Sequence, residues 1–208
     1  MEFGGVKLGL IVVLFIIFAE TGLFAGFFLP GDSLLFLAGI YSELLTRQIS
    51  VGNDFANLVL LSSLVALAGI LGNMVGYWFG VKGGTYLYNK QDTFWFKEKY
   101  LLQARDFFEK YGGKAIIFAR FLPIFRTFAP IVAGIAGMNK SKFMFNNILG
   151  SLLWSFSMIF SGHYLSDLFK NQFGIDLKTH IEMIVIGIVL FTTAPVLWKL
   201  LKKRVVHK

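Results

Sequence analysis

The sequence predicts an all-α polytopic membrane protein of two inverted repeats. Each repeat is a re-entrant hairpin plus a spanning helix, and a further spanning helix closes the C-terminus. Three observations point there. Hydrophobic residues make up 56% of the 208 residues and charged ones only 15%, against about 25% charged in a soluble domain. Several apolar runs approach or exceed the roughly eighteen residues that read as membrane-spanning. Two of these runs are interrupted by proline at matching points of the two halves.

Charge sets the expected topology. The net charge of +8 could suggest nucleic acid, but the basic residues flank apolar runs in short connections. Lys82, Lys90, Lys97, Lys99, Arg105, Lys110 and Lys114 lie between the first spanning helix and the second repeat. Lys199, Lys202, Lys203, Arg204 and Lys208 lie in the tail. A Lys/Arg excess marks the cytoplasmic side, so both regions, the C-terminus included, are expected there, and no nucleic-acid partner is. The absence of cysteine excludes disulfides and cysteine-ligated metals. The N-terminal apolar run continues through Glu20 to Leu29 instead of stopping at a short cleavable core, and reads as part of the fold.

Residues 1–208 are expected to form one membrane domain. The first repeat covers 8–80. Within it, Leu8 to Leu29 is apolar except for Glu20 and Thr21, and Pro30-Gly31-Asp32-Ser33 then breaks it. Pro and Gly turn the chain, and Asp32 or Ser33 can cap the next helix. That helix, Leu34 to Leu45, is about 18 Å long at 1.5 Å per residue, too short for a ~30 Å hydrocarbon core. After a polar loop, Asn57 to Gly80 spans, rich in small residues that allow close helix packing. Asn73 among them suits an interhelical hydrogen bond. Residues 94–111 repeat apolar and charged positions at helical spacing and read as an interfacial amphipathic helix. The second repeat covers 114–166, with a spanning helix from Phe143 to Leu165. A polar loop follows from Asp167 to Thr179, and the last helix is expected at 181–201.

The stretch Phe118–Met138 carries most of the information. It is apolar enough for a bilayer, yet contains Arg120 and Arg126 and is broken by Pro123 and Pro130. An arginine at mid-membrane costs roughly 2.5–3.5 kcal/mol on insertion scales, and guanidinium does not escape by deprotonating. Irregular backbone at that depth survives only inside protein or along a wet cavity. The reading is a hairpin that presents two fixed positive charges to an anion; the alternative is a Pro-kinked span whose arginines snorkel. The halves also share an order of short matches. Phe28-Leu29-Pro30, Leu37-Ala38-Gly39-Ile40 and Ile70-Leu71-Gly72 are mirrored by Phe121-Leu122-Pro123, Ala133-Gly134-Ile135 and Ile148-Leu149-Gly150. Broken helices at corresponding positions point to a transport site at the midplane.

Glu20, Asp32, Arg120 and Arg126 are thus the candidate site. Arginine offers forked recognition of phosphate. A carboxylate in lipid can take up and release a proton. No nucleophile elbow or phosphate-cradling glycine loop appears, and His163, His180 and His207 lack metal spacing, so neither an enzyme nor a metal or cofactor site is expected.

Glu20, Pro30-Gly31-Asp32, Gly112-Gly113, Arg120-Phe121-x-Pro123-x-x-Arg126, Ala133-Gly134, Met138, Phe143, Asn147, Gly150 and Trp154 together resemble the bacterial DedA family, also described as VTT-domain or SNARE-associated membrane proteins. The resemblance covers roughly residues 15–165. It implies two inverted re-entrant hairpins in the inner membrane and transbilayer movement of lipids, undecaprenyl phosphate or phosphatidylethanolamine, coupled to the proton-motive force. It carries the family's essential acids and arginines onto Glu20, Asp32, Arg120 and Arg126, the arginines expected to bind substrate and the acids to couple protons, with Asn73, Asn147 and Trp154 as secondary site residues. Where many members have an acid, this chain has Asn73. The expected partners are lipids and protons, with a homo-oligomer open. The alternatives are a proton-coupled ion or small-solute transporter and a non-transporting scaffold.

Overall fold

The computed structural model describes residues 5–23, 31–47, 49, 52–88 and 98–174. Among these the regular structure is entirely helical: α1 (Gly5–Gly22), α2 (Gly31–Ile40), α3 (Ser42–Thr46), α4 (Asp54–Tyr88), α5 (Glu98–Tyr111), α6 (Lys114–Ala119), α7 (Pro123–Ile135) and α8 (Lys140–Phe173). Segments 54–84 and 140–173 are long and apolar enough to cross a membrane. At 1.5 Å per residue, the 35 residues of α4 extend about 52 Å. Large apolar side chains such as Phe15, Leu67, Phe118 and Phe145 face outward. A soluble surface rarely carries so much contiguous apolar area, whereas a lipid-facing one does.

The short helices pack along the two long ones. α1 lies on α4, α7 lies on α4 further along, and α2 and α6 lie on α8. One core joins Ile17, Leu35, Leu58, Leu61, Val65, Trp154 and Ile159; a second joins Phe108, Ile116, Ala133, Ala136 and Phe143. Close approach depends on glycine. A Cβ at Gly39 would strike the Ile159 carbonyl, and one at Gly162 the Phe36 carbonyl. Gly134 and Gly80 repeat this pattern: a Cβ at Gly134 would strike the Tyr77 carbonyl, one at Gly80 the Ile131 carbonyl. In both pairs each glycine meets the carbonyl three residues before its partner. Residues 39 and 134 are the ones the sequence matches aligned, but each packs on the long helix of the other half.

Several boundaries differ from expectation. α4 does not stop at Gly80 but continues to Tyr88, because the basic residues mark departure from an apolar environment, not the end of hydrogen bonding. α8 likewise runs through Asp167 to Phe173, where the expected loop would lie. It ends at Gly174, whose φ of 65° and N–H to the Phe169 carbonyl make a left-handed cap. The arm after Asp32 is two helices, divided at Tyr41. Pro130 does not break its helix: α7 continues past it to Ile135. The missing N–H leaves the Arg126 carbonyl without its usual helical donor. Pro123 does mark a break, standing at the first turn of α7 after the interruption at 120–122. Pro30, the start of the expected helix at 94–111 and the whole helix at 181–201 lie outside the described residues.

Candidate functional site

The ends of α1, α2, α6 and α7 converge on the middle of α4 and α8. Glu20 sits in the last turn of α1. Its carboxylate accepts from Arg126 Nη2, and also from the Gly31 amide at 3.1 Å. Gly31 opens α2, so Glu20 supplies from another helix the cap that the orphan donors of a helix start require. A side chain at Gly31 would occupy the place of the Glu20 carboxylate. The expected cap, Asp32, lies inside the first turn of α2 and serves elsewhere: its Oδ1 accepts from Arg126 Nη1 at 2.6 Å and from the Trp154 indole N–H at 2.9 Å. Arg126, one turn into α7, thus divides its fork between two carboxylates 94 and 106 residues away in sequence. Thr127 beside it donates to the Glu20 carbonyl at 3.3 Å.

Arg120 is differently placed. It follows α6 directly and is 2% exposed, yet among the described residues it has no carboxylate partner. Its Nη1 donates to Asn147 Oδ1 at 3.0 Å. Asn73 on α4 completes this group. In one amide orientation it donates to Asn147 Oδ1 at 2.8 Å. In the other it accepts from Arg120 at 2.5 Å and donates to the Thr21 carbonyl at 3.3 Å. Gly69, one turn before Asn73, is the gap that admits the guanidinium; a Cβ there would strike Nη2. Trp154 lies against both arginines, its ring centroid 5.4 Å from the Arg120 guanidinium carbon and 5.1 Å from that of Arg126. Such cation–π contacts are worth about 2 kcal/mol when desolvated.

Two carboxylates face Arg126 and, among the described residues, none faces Arg120, so the cluster is neutral in sum but its charges are unevenly paired. It is also incompletely satisfied. Glu20 Oε2, Arg126 Nε, and Arg120 Nε and Nη2 are buried with no hydrogen-bond partner among the described residues. Buried polar atoms are nearly always paired with protein, water or ligand, so the cluster has room in its bonding for a polar guest. The sequence singled out the four ionisable residues. It gave no role to Thr21, noted only as polar in an apolar run, to Gly69, noted only among the small residues of α4, or to Thr127, for which there was no signal.

The VTT domain matches residues 29–164, well over half of the chain. Protein DedA of Escherichia coli (strain K12) is 35% identical over 184 residues, covering 88% of this chain and 78% of the relative. This chain belongs to the DedA family. An uncharacterized membrane protein of Mycobacterium tuberculosis (strain ATCC 25618 / H37Rv) is 35% identical over 186 residues, 89% of this chain and 75% of its own length. The inner membrane protein YqjA of E. coli K12 is 32% identical over 158 residues, 74% of this chain and 66% of its own. No solved structure matches significantly. Family membership makes the chain a membrane protein, in keeping with its two long apolar helices, and the VTT match encloses Asp32, Arg120, Arg126, Asn147 and Trp154.

Proposed function

We propose that this DedA-family protein moves a phosphate-headed lipid across the bilayer, binding the head group at Arg120. The supporting observation is a buried guanidinium with two unpartnered nitrogens and only neutral amides beside it. α1–α2 and α6–α7 are read as hairpins entering from opposite faces, so that their tips, at Glu20–Asp32 and Arg120–Arg126, meet near the midplane. Undecaprenyl phosphate ranks ahead of phosphatidylethanolamine on charge: a phosphate monoester carries about −1.5 to −2 near neutral pH. The ethanolamine head would instead bring a second cation toward Arg120. Glu20 and Asp32 hold Arg126, and protonating either loosens its fork, which is how a proton gradient would couple to movement.

The test is lipid transport in proteoliposomes. Arg120→Lys keeps the charge but loses the fork, and transport should fall roughly tenfold, the order of a hydrogen bond to a charged group. Asn147→Asp places a carboxylate where the amide now meets Arg120, and should compete with the phosphate while leaving the protein folded. If both variants move lipid as fast as the parent, Arg120 is not the head-group site. Movement of a solute by a protein that moves no lipid would favour the transporter alternative.

A further inference from the structure

A second polar group lies away from the arginine cluster, at the end of the bundle where α4 begins and α8 nears its end. His163 is 7% exposed, yet both ring nitrogens have partners on different helices. Nδ1 is 3.1 Å from the Ser42 hydroxyl of α3. Nε2 is 2.9 Å from an Asp54 carboxylate oxygen at the start of α4 and 3.5 Å from Asp167 one turn along α8. Ser42 is buried, whereas both aspartates reach solvent. Tyr164 sets its ring edge-on to the imidazole at 5.2 Å. From α2 the chain offers only Gly39, packed against the His163 backbone; Glu43 and Arg47 of α3 are solvent-exposed.

Chemistry gives this arrangement two states. A neutral imidazole has one N–H. With that proton on Nε2, shared between Asp54 and Asp167, Nδ1 accepts from Ser42. A second proton puts a positive charge between two carboxylates and turns Nδ1 into a donor, so that Ser42 must reverse its role. The protonated ring therefore makes charge-assisted bonds on α4 and α8 while holding α3. We propose that His163 is a proton-binding clasp that fixes α3, and the α2 arm attached to it, onto α4 and α8 through charge-assisted bonds when protonated, and holds that arm only by weaker neutral hydrogen bonds when neutral. α2 carries Asp32 at its other end, ten residues or about 15 Å of helix from Ser42. The clasp thus reaches the ion-pair cluster through one short rigid element. That it gates transport rests on the lipid-moving reading; the clasp itself does not.

The test separates the two. Hydrogen–deuterium exchange of the α3 amides is compared between parent and His163→Gln at about pH 5.5 and about pH 8, either side of the range in which imidazole changes charge. Pairing the proteins at each pH cancels the intrinsic pH dependence of exchange. The Gln variant should exchange roughly tenfold faster at the lower pH and within about twofold at the higher, the difference one charge-assisted hydrogen bond makes. The same ratio at both pH values overturns the clasp. If His163→Gln does not fold, the Asp54→Asn/Asp167→Asn double variant keeps the ring and should remove the parent's pH effect; an undiminished effect overturns the clasp equally. In vesicles, parent transport should slow as the pH on the α3 side falls, and His163→Gln should not. A pH-dependent exchange ratio with pH-independent transport overturns the gating role. A parent that moves no lipid overturns the lipid reading and leaves the clasp standing on exchange.

Discussion

Arg126 is held by two acids at once, and this decides how each should respond to substitution. Glu20 is 2% exposed and has a second duty at the Gly31 amide; the Asp32 side chain is 13% exposed and shares its oxygen with Trp154. Glu20→Gln or Asp32→Asn removes one charge but leaves the guanidinium its other carboxylate, and each should cost about 1.5–3 kcal/mol, more for the better buried Glu20. The double variant leaves a buried cation uncompensated, a penalty that neither single variant incurs, so the loss should exceed the sum of the singles. Denaturant unfolding in micelles measures the cycle; additivity within about 0.5 kcal/mol would show that the two acids do not share Arg126. The four charges were legible in the sequence because ionisable residues inside apolar runs demand an explanation. Their pairing was not, since contacts across about a hundred residues depend on which helix ends meet. The bond from the Gly31 amide to Glu20 was no more legible, since nothing in the order of residues sets the two against each other.

At the scale of elements, the breaks were readable and the ends were not. Pro123 and the Gly112-Gly113 turn sit where local backbone chemistry puts them, and Gly112 has a φ of 57° that favours glycine. Pro130 misled, because a proline lacking one hydrogen bond can stay helical when neighbours pack against it, and here Gly76 of α4 does so. α4 and α8 outran their expected limits because a polar residue ends an apolar run without ending the hydrogen-bond ladder: lysine is a good helix former, and aspartate costs less than about 1 kcal/mol. The Gly39–Gly162 and Gly80–Gly134 contacts were foreshadowed only as a richness in small residues. They supply a sharp prediction. At Gly39 a new methyl meets a backbone carbonyl, which cannot swing aside as a side chain can, so Gly39→Ala should cost about 1–3 kcal/mol, and Gly134→Ala the same. At Gly83 in α4 a Cβ meets nothing within 4 Å, and Gly83→Ala should be neutral or stabilising by about 0.5–1 kcal/mol. Thermal unfolding in matched detergent ranks the three; equal melting temperatures would mean that the helices do not approach as closely as these contacts require.

For the whole molecule, the glycine contacts carry a twofold pattern that the tripeptide matches only approximated. The matches align residue 72 with 150, an offset of 78, whereas the two glycine contacts make residue 80 the counterpart of residue 162, an offset of 82. The difference is about one helical turn, a slip that three-residue identities cannot detect but backbone contact can. Such a pattern is what two inverted hairpins would produce, and the proposed arrangement puts the two ends of the bundle on opposite sides of the membrane. Charge gives the orientation. Among the described residues, Lys82, Lys110, Lys114, Lys140 and Lys142 lie where α4 ends and α8 begins, with Asp106 and Glu109, while Glu43, Asp54 and Asp167 lie at the opposite end with Lys7, Arg47 and Lys170. The lysine-rich end should face the cytoplasm. The chain has no cysteine, so single cysteines report without background, and Asn53, Asn139 and Asn171 are all exposed. In intact cells an impermeant maleimide should label Asn53→Cys and Asn171→Cys, and reach Asn139→Cys only after permeabilisation. His207→Cys should behave as Asn139→Cys does, if the tail is cytoplasmic. The reverse pattern would invert the molecule and put His163 on the cytoplasmic side, out of reach of the acidic face that a proton gradient provides. Labelling of Asn139 and Asn171 alike from outside would mean that α8 does not span, and the meeting of two opposed hairpins would fall with it.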